Sequence, residues 1–192
     1  MTELPKIILA SASPRRAEIL RTVGWPFDTL AVDIDESRRP NEDAPTFVQR
    51  LAREKAETAA ARTIGLNVVG ADTTVVIDGQ ILEKPLDAND ARRMLGMLSG
   101  QWHRVLTGVA VVDRKNSETR VALQETEVKF AAMSDGEIDW YVATSEPMDK
   151  AGAYAIQGKG ARFIEGVRGD FFNVVGLPLR LLYELFAGSN HR

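Results

Sequence analysis

The sequence contains no cysteine. Disulfides, a thiolate nucleophile, cysteine-ligated zinc and iron–sulfur clusters are therefore excluded. Histidine is nearly absent as well: His103 lies within the body of the chain, and His191 is penultimate and reads as frayed. Histidine-rich metal sites and two-histidine mechanisms drop out with it. There is no basic surplus, since 24 Lys and Arg stand against 27 Asp and Glu for a formal net charge of −3. General nucleic-acid binding ordinarily shows the opposite balance. Long apolar runs are also missing. The run near the start, Ile7 to Ala10, is shorter than the ~7–15 apolar residues of a signal peptide, although Ala10-Ser11-Ala12 has the form of a cleavage site. Phe171 to Ala187 carries Asn173, Arg180 and Glu184 and is too short to span a bilayer. The expectation is a cytoplasmic protein with no membrane or nucleic-acid partner. Its chemistry must run on carboxylate, Lys, Arg and hydroxyl groups. Neither phosphate-binding glycine motif is present: G-x-x-x-x-G-K-[ST] does not occur, and Gly158-Lys159-Gly160 continues as Ala161-Arg162-Phe163.

What is present suits one globular domain spanning 1–192, or two small lobes around a shared cleft: 192 residues, 44% hydrophobic and 27% charged. Short β-type runs alternate with amphipathic segments, which predicts an α/β fold with a mixed sheet. Strands are expected at Lys6 to Ala10, Phe27 to Val32, Val68 to Ala71, Thr74 to Ile77, Val105 to Val112 and Val121 to Phe130. Asp78-Gly79 marks a hairpin. Ser13 with Pro14 opens a helix that stops at Gly24, and a long helix follows Asp43-Ala44-Pro45 to near Gly65. Asp87 with Asp90 begins a helix that closes at Gly100, and Ser134-x-x-Glu137 is a capping box for a helix to about Thr144. Five glycines between Gly152 and Gly169 mark a loop-rich stretch, and Pro178 starts a terminal helix ending at Gly188.

Three places look chemical. Ser11-Ala12-Ser13-Pro14-Arg15-Arg16 sets hydroxyls, open backbone N–H groups and two guanidinium groups at a strand-to-helix junction. Cations in a first helical turn are unfavourable by ~0.3–1 kcal/mol each when exposed, and a bound polyanion reverses that sign; two solvated arginines are the alternative. Lys55 falls in the middle of the apolar stripe formed by Phe47, Leu51, Val48, Ala52 and Ala59 at about 100° per residue. A desolvated ammonium there needs an anionic partner, unless it snorkels past Val48 to solvent. Asp72, in Gly70-Ala71-Asp72-Thr73-Thr74, ends a buried apolar run, where a carboxylate binds a cation, takes a proton or caps a turn. Glu83-Lys84-Pro85 follows one hairpin later, and Asp33-Ile34-Asp35-Glu36 supplies further acids, with a solvated loop as the alternative for Asp33 and Asp35. Arg15, Lys55 and Lys84 are cations of phosphate-binding type. Asp72, Glu36 and, as a further candidate, Glu83 are hard oxygen ligands suited to Mg²⁺ or Mn²⁺. A metal-bound triphosphate satisfies both sets at once. Gln157, beside flexible glycine backbone, offers an amide that both donates and accepts in one plane, as a nucleobase edge requires.

These segments, together with Leu51 to Ala56, Leu98-Ser99-Gly100, Asp149 to Gly158 and Val174-Val175-Gly176-Leu177-Pro178, resemble in order and over almost the whole chain the Maf (septum-formation) proteins, the nucleoside triphosphate pyrophosphatases. The resemblance implies an inosine-triphosphatase-like α/β fold with a mixed central sheet, flanking helices and two lobes around a cleft, and a homodimer. It implies hydrolysis of a nucleoside triphosphate to monophosphate and pyrophosphate with a divalent cation (Mg²⁺, Mn²⁺ or Co²⁺). By motif, Asp72 resembles the catalytic acid that takes the proton of water. Ser13, Arg15, Glu36, Lys55 and Lys84 resemble the other active-site positions, with Asp72 and Glu36 as metal ligands. Arg16, Thr73 and Gln157 resemble the positions that sort the family by base. Ala71-Asp72-Thr73 and Ile156-Gln157-Gly158 are similar to the branch acting on dTTP and UTP, whereas the 7-methyl-GTP branch carries Ser-Asp-Gln in place of Ala71-Asp72-Thr73. A 7-methyl-GTP pyrophosphatase and a non-catalytic nucleotide-binding regulator remain the alternatives.

Overall fold

The apolar runs become strands covered on both faces. In the computed structural model, which describes residues 4–187, β1 (Ile7–Ala10) is buried at every residue. Along β3 (Asn67–Ile77) only Asn67, Asp72 and Thr73 are less than fully buried. β1 pairs in parallel with β2 (Phe27–Thr29) on one side and β3 on the other, with Ile7 opposite both Phe27 and Asn67. Parallel pairing and burial of both faces go together. β3 turns through Asp78 and Gly79, at φ 48° and 75°, into the antiparallel β4 (Gln80–Leu82). Positive φ at both central residues is the turn that Asp-Gly predicts. β5 (Trp102–Asp113), β6 (Glu118–Phe130) and β7 (Ile164–Arg168) complete a mixed sheet in the order β2-β1-β3-β5-β6-β7, with β4 on β3.

The helices are α1 (Pro14–Thr22), α2 (Ala44–Ala60), α3 (Ala88–Leu98), α4 (Asp135–Ala143), α5 (Phe171–Val175) and α6 (Leu179–Ala187). Their starts follow the sequence signals. Asp43 accepts from the N–H of Thr46, Asp87 accepts from that of Asp90, and Ser134 with Glu137 closes a reciprocal capping box. The expected ends at His191 and Gly188 lie outside the described residues.

Several expectations are corrected. The break expected between Ala71 and Thr74 does not exist: β3 runs straight through Asp72, because a cation meets the carboxylate there and the strand has no reason to end. β2 stops at Thr29 rather than Val32. α2 stops at Ala60, where the Thr63 hydroxyl donates to the carbonyl of Ala59 at 3.1 Å and satisfies one of the orphan acceptors of the last turn. The loop-rich stretch contains short 3₁₀ turns and β7, which the residues alone did not announce. β7 exists through antiparallel pairing with β6, Val167 opposite Val128.

The described residues fall into two compact units, one made of 4–72, 107–124 and 176–187, the other of 73–106 and 125–175. In the first, Ala52, Ala56 and Ala59 of α2 pack with Ile8, Ala10 and Val68 of the sheet. In the second, Leu95, Leu98, Phe130, Tyr141 and Phe163 belong to one apolar cluster. No helix among the described residues is long and apolar enough to cross a membrane.

Candidate active site

The position of Lys55 is decided by two glycines on the sheet beneath its helix. A Cβ at Gly70 would lie 2.2 Å from the carbonyl oxygen of Ala52 and 2.8 Å from the amide nitrogen of Ala56. One at Gly108 would lie 2.3 Å from the carbonyl oxygen of Val48. The α2 backbone therefore rests directly on β3 and β5. Residues two apart on a strand share a face, so Asp72 points to the same side as Gly70, toward the inward face of α2. Lys55 stands on that face between Ala52 and Ala56. Its Nζ lies 2.7 Å from Asp72 Oδ1 and 2.6 Å from Glu36 Oε1. Lys55 is 9% exposed, so it does not snorkel out. It is an ammonium held between two carboxylates.

Glu36 reaches Lys55 from the irregular segment between β2 and α2. That segment is clamped by Arg50, one turn before Glu54 on α2. The guanidinium of Arg50 grips Glu42 through both carboxylate oxygens, Nε to Oε1 at 2.6 Å and Nη2 to Oε2 at 2.8 Å. It also donates to the carbonyl of Ser37 at 3.0 Å and to Glu54 at 3.1 Å. The Arg50 hydrogen bond, against an opposing cost of burial, holds the Glu42 carboxyl at a pKa of about 2. Bidentate Arg–carboxylate pairs fix geometry as well as energy. Ser37 is the neighbour of Glu36, so the clamp sets the backbone from which Glu36 extends. Asp35 turns the same segment by accepting from the N–H of Ser37 at 2.9 Å, and Asp33 is exposed. Of the acids at 33, 35 and 36, Glu36 is the one that meets Lys55. Nothing in the spacing of Glu42 and Arg50 identified that pair.

At the start of α1, Ser13 occupies the N-cap position with extended backbone, and its side chain makes no capping hydrogen bond. The hydroxyl oxygen of Ser11 accepts instead, from the Ser13 N–H at 3.1 Å and from Arg16 Nη1 at 3.2 Å. Arg16 is buried and donates from Nε to the carbonyl of Gly176 at 2.8 Å. Burial lowers its pKa; the negative charges of Asp72 and Glu36 oppose that shift, and the positive charge of Arg15 adds to it. The guanidinium remains protonated, as arginine does in proteins. Arg15, Arg16, Glu36, Lys55 and Asp72 thus belong to one electrostatic neighbourhood in the first unit. The partner of Arg16, a carbonyl far along the chain, had no sequence signal beyond the Val174 to Pro178 motif.

The other expected positions lie in the second unit. Thr73 follows Asp72 along β3. Glu83 and Lys84 are exposed just after β4, and the carbonyl of Glu83 accepts from the N–H of Gly152 at 3.1 Å. Gln157 is exposed on a segment whose preceding residues, Tyr154 and Ala155, are buried.

Among the described residues no group of three or more His, Cys, Asp or Glu side chains could hold a metal ion. Two oxygen-donor carboxylates, Glu36 and Asp72, do share one locus through Lys55. That donor set fits Mg²⁺ or Mn²⁺, which take one or two carboxylates and complete their shell with water and substrate phosphate.

The family model described as Maf-like protein matches residues 6–189. The chain is 51% identical over 182 residues to a dTTP/UTP pyrophosphatase of Symbiobacterium thermophilum, covering 95% of this chain and 93% of that protein. It is 49% identical over 182 residues to a dTTP/UTP pyrophosphatase of Yersinia pseudotuberculosis, covering 94% and 91%. It is 47% identical over 188 residues to one of Escherichia coli, covering 97% and 94%. Among solved structures, the Ham1 protein of Staphylococcus aureus is similar at 13% identity and a TM-score of 0.49, covering 96% of this chain and 99% of that one. A match to the family model that runs from β1 to beyond the last described residue, with relatives near half identity over almost their full length, makes this chain a member of the Maf family.

Proposed function

We propose that this chain hydrolyses dTTP and UTP to the monophosphate and pyrophosphate, by in-line attack of water on the α-phosphorus. The observation that carries the reading is the Glu36–Lys55–Asp72 cluster, with ion-pair distances of 2.6 and 2.7 Å, beside the arginine-bearing start of α1. Asp72 accepts the proton of the attacking water, and the new bond to phosphorus forms as the bond to the pyrophosphate oxygen breaks. Lys55 orients Asp72 through their 2.7 Å ion pair. Arg15 and the first-turn N–H groups after Ser13 stabilise negative charge on the phosphates, the interaction that usually contributes most to such reactions. Lys84 is proposed as a further phosphate cation. Glu36 and Asp72 would hold a divalent cation, which would supply Lewis-acid activation of water and neutralisation of phosphate charge.

Arg16, Thr73 and Gln157 are proposed to select the base. Uracil and thymine present an N–H donor flanked by carbonyl acceptors, and a glutamine amide complements that edge. The relatives named dTTP/UTP pyrophosphatase support the same choice.

Asp72→Asn is expected to lower kcat for pyrophosphate release from dTTP by roughly 10²–10³. Near-normal turnover would refute the base assignment. A panel of canonical and methylated triphosphates with Mg²⁺, Mn²⁺ and Co²⁺ tests the substrate class. Preference for 7-methyl-GTP, or binding of dTTP without formation of monophosphate, would each replace this reading.

A further inference from the structure

Beside Gln157, several hydrogen bonds within the second unit converge on one carboxylate. Glu146 opens the short 3₁₀ turn that follows α4. Its Oε1 accepts from the N–H of Gly160 at 3.0 Å and from the hydroxyl of Tyr141 at 2.8 Å. Its Oε2 accepts from the N–H of Lys159 at 3.0 Å. The Tyr141 hydroxyl, carried on a fully buried ring, itself accepts from the N–H of Ala155 at 3.1 Å. The chain is therefore gripped at Ala155 on one side of Gln157 and at Lys159 and Gly160 on the other. Between the grips lie only Ile156, Gln157 and Gly158. Gly158 sits at φ 124°, and a Cβ there would lie 2.7 Å from Glu146 Oε2, so the backbone lies directly against the carboxylate.

An exposed glutamine on a surface segment does not need a half-buried carboxylate to hold its backbone. A glutamine that must meet a nucleobase edge in one orientation does, because ordering the segment beforehand removes that cost from binding. A carboxylate suits the task, being acceptor-only and able to serve all three donors at once.

We infer that Glu146 and Tyr141 are positioning residues for base selection: they fix the backbone on both sides of Gln157 and thereby aim its amide. The inference rests on the role given to Gln157 under the proposed function. Glu146→Gln places an amide NH₂ against at least one of the N–H or O–H donors, while Tyr141→Phe removes a single hydroxyl from the same chain of bonds.

The test is steady-state hydrolysis of dTTP and of dCTP, in which a 4-amino group and an acceptor N3 replace the 4-carbonyl and N3–H and the 5-methyl is absent, by the wild type and by the Glu146→Gln, Tyr141→Phe and Gln157→Ala variants, with a thermal melt of each. For Glu146→Gln, KM for dTTP should rise about tenfold and the dTTP to dCTP ratio of kcat/KM should fall by a similar factor, the loss expected for one hydrogen bond to a charged group. The kcat for dTTP should stay within about threefold on the same scale. Tyr141→Phe should shift both quantities in the same direction by less, and it carries the test if Glu146→Gln does not fold. A purely structural role would lower kcat alike for both nucleotides and leave KM and the ratio unmoved, which overturns the inference. If Gln157→Ala collapses the ratio and the Glu146 and Tyr141 variants do not, the inference alone fails. If Gln157→Ala keeps the wild-type ratio, the role of Gln157 fails and the inference with it. If the wild type turns over neither nucleotide, the proposed function itself is wrong.

Discussion

Lys55 shows how a single side chain organises the first unit. Its ammonium sits on the buried stripe of α2 and is satisfied by two acids, one from β3 and one from the segment before the helix. Removing one partner of a fully buried ion pair costs about 3–5 kcal/mol. Glu36 is half exposed here, with a side chain at 51%, whereas that of Asp72 is at 13%. Solvent therefore screens part of the loss. Lys55→Met should destabilise by roughly 1–3 kcal/mol on that reasoning, measured as a shift in urea midpoint, and should lower kcat by roughly 10²–10³. Unchanged kcat in a folded variant would remove Lys55 from the reacting cluster. The sequence reading reached Lys55 because helical periodicity put a charge where only apolar groups belong. It could not choose between an acidic partner and escape to solvent, since that depends on what covers the helix.

At the scale of elements, the close seat of α2 on the sheet governs the site. Gly70 and Gly108 leave no space for a side chain beneath the helix backbone. Gly70→Ala must push α2 off β3, a change whose overpacking cost is typically ~1–3 kcal/mol. Because Asp72 shares the Gly70 face, the variant should also lose dTTP hydrolysis beyond what its stability explains, measured well below its melting temperature. Retained activity would show that the Lys55–Asp72 contact tolerates a shifted helix. Caps and the Asp78-Gly79 hairpin were legible in advance because their chemistry is local. β7 and the Arg50 clamp were not. A strand of five residues is defined by its pairing with β6, and Arg50 meets Glu42 only after the intervening chain has folded back.

For the molecule as a whole, two groups predict how stability falls in acid. His103 is buried, its Nε2 lies 2.8 Å from the Tyr154 hydroxyl, and its Nδ1 has no hydrogen-bond partner among the described residues. Burial lowers its pKa from 6.5 to about 4. The unfolded chain then takes up the proton first as pH falls, so the stability associated with neutral His103 is present above pH 6.5 and is lost down to about pH 4. Glu42 is lowered from 4.5 to about 2 by its Arg50 hydrogen bond, so its contribution is present above pH 4.5 and is lost toward pH 2. Urea midpoints measured from neutral to acid pH should decline through both windows. His103→Leu should flatten the upper one and Glu42→Gln the lower one. Variant curves parallel to the wild type would contradict both assignments.

The residues alone determined the alternation of strands and helices, the caps, the hairpin and the set of charged groups that chemistry could use, because those depend on neighbours within a few positions of the chain. Motif order also carried the family. Tertiary structure decided which acid reaches Lys55, that β3 continues through Asp72, that Arg16 spends its Nε on a distant carbonyl, and that Glu146 grips the segment bearing Gln157. Each of these is a contact between groups far apart in sequence. Such contacts form only where burial removes water and leaves a charge or a backbone N–H with one partner in reach.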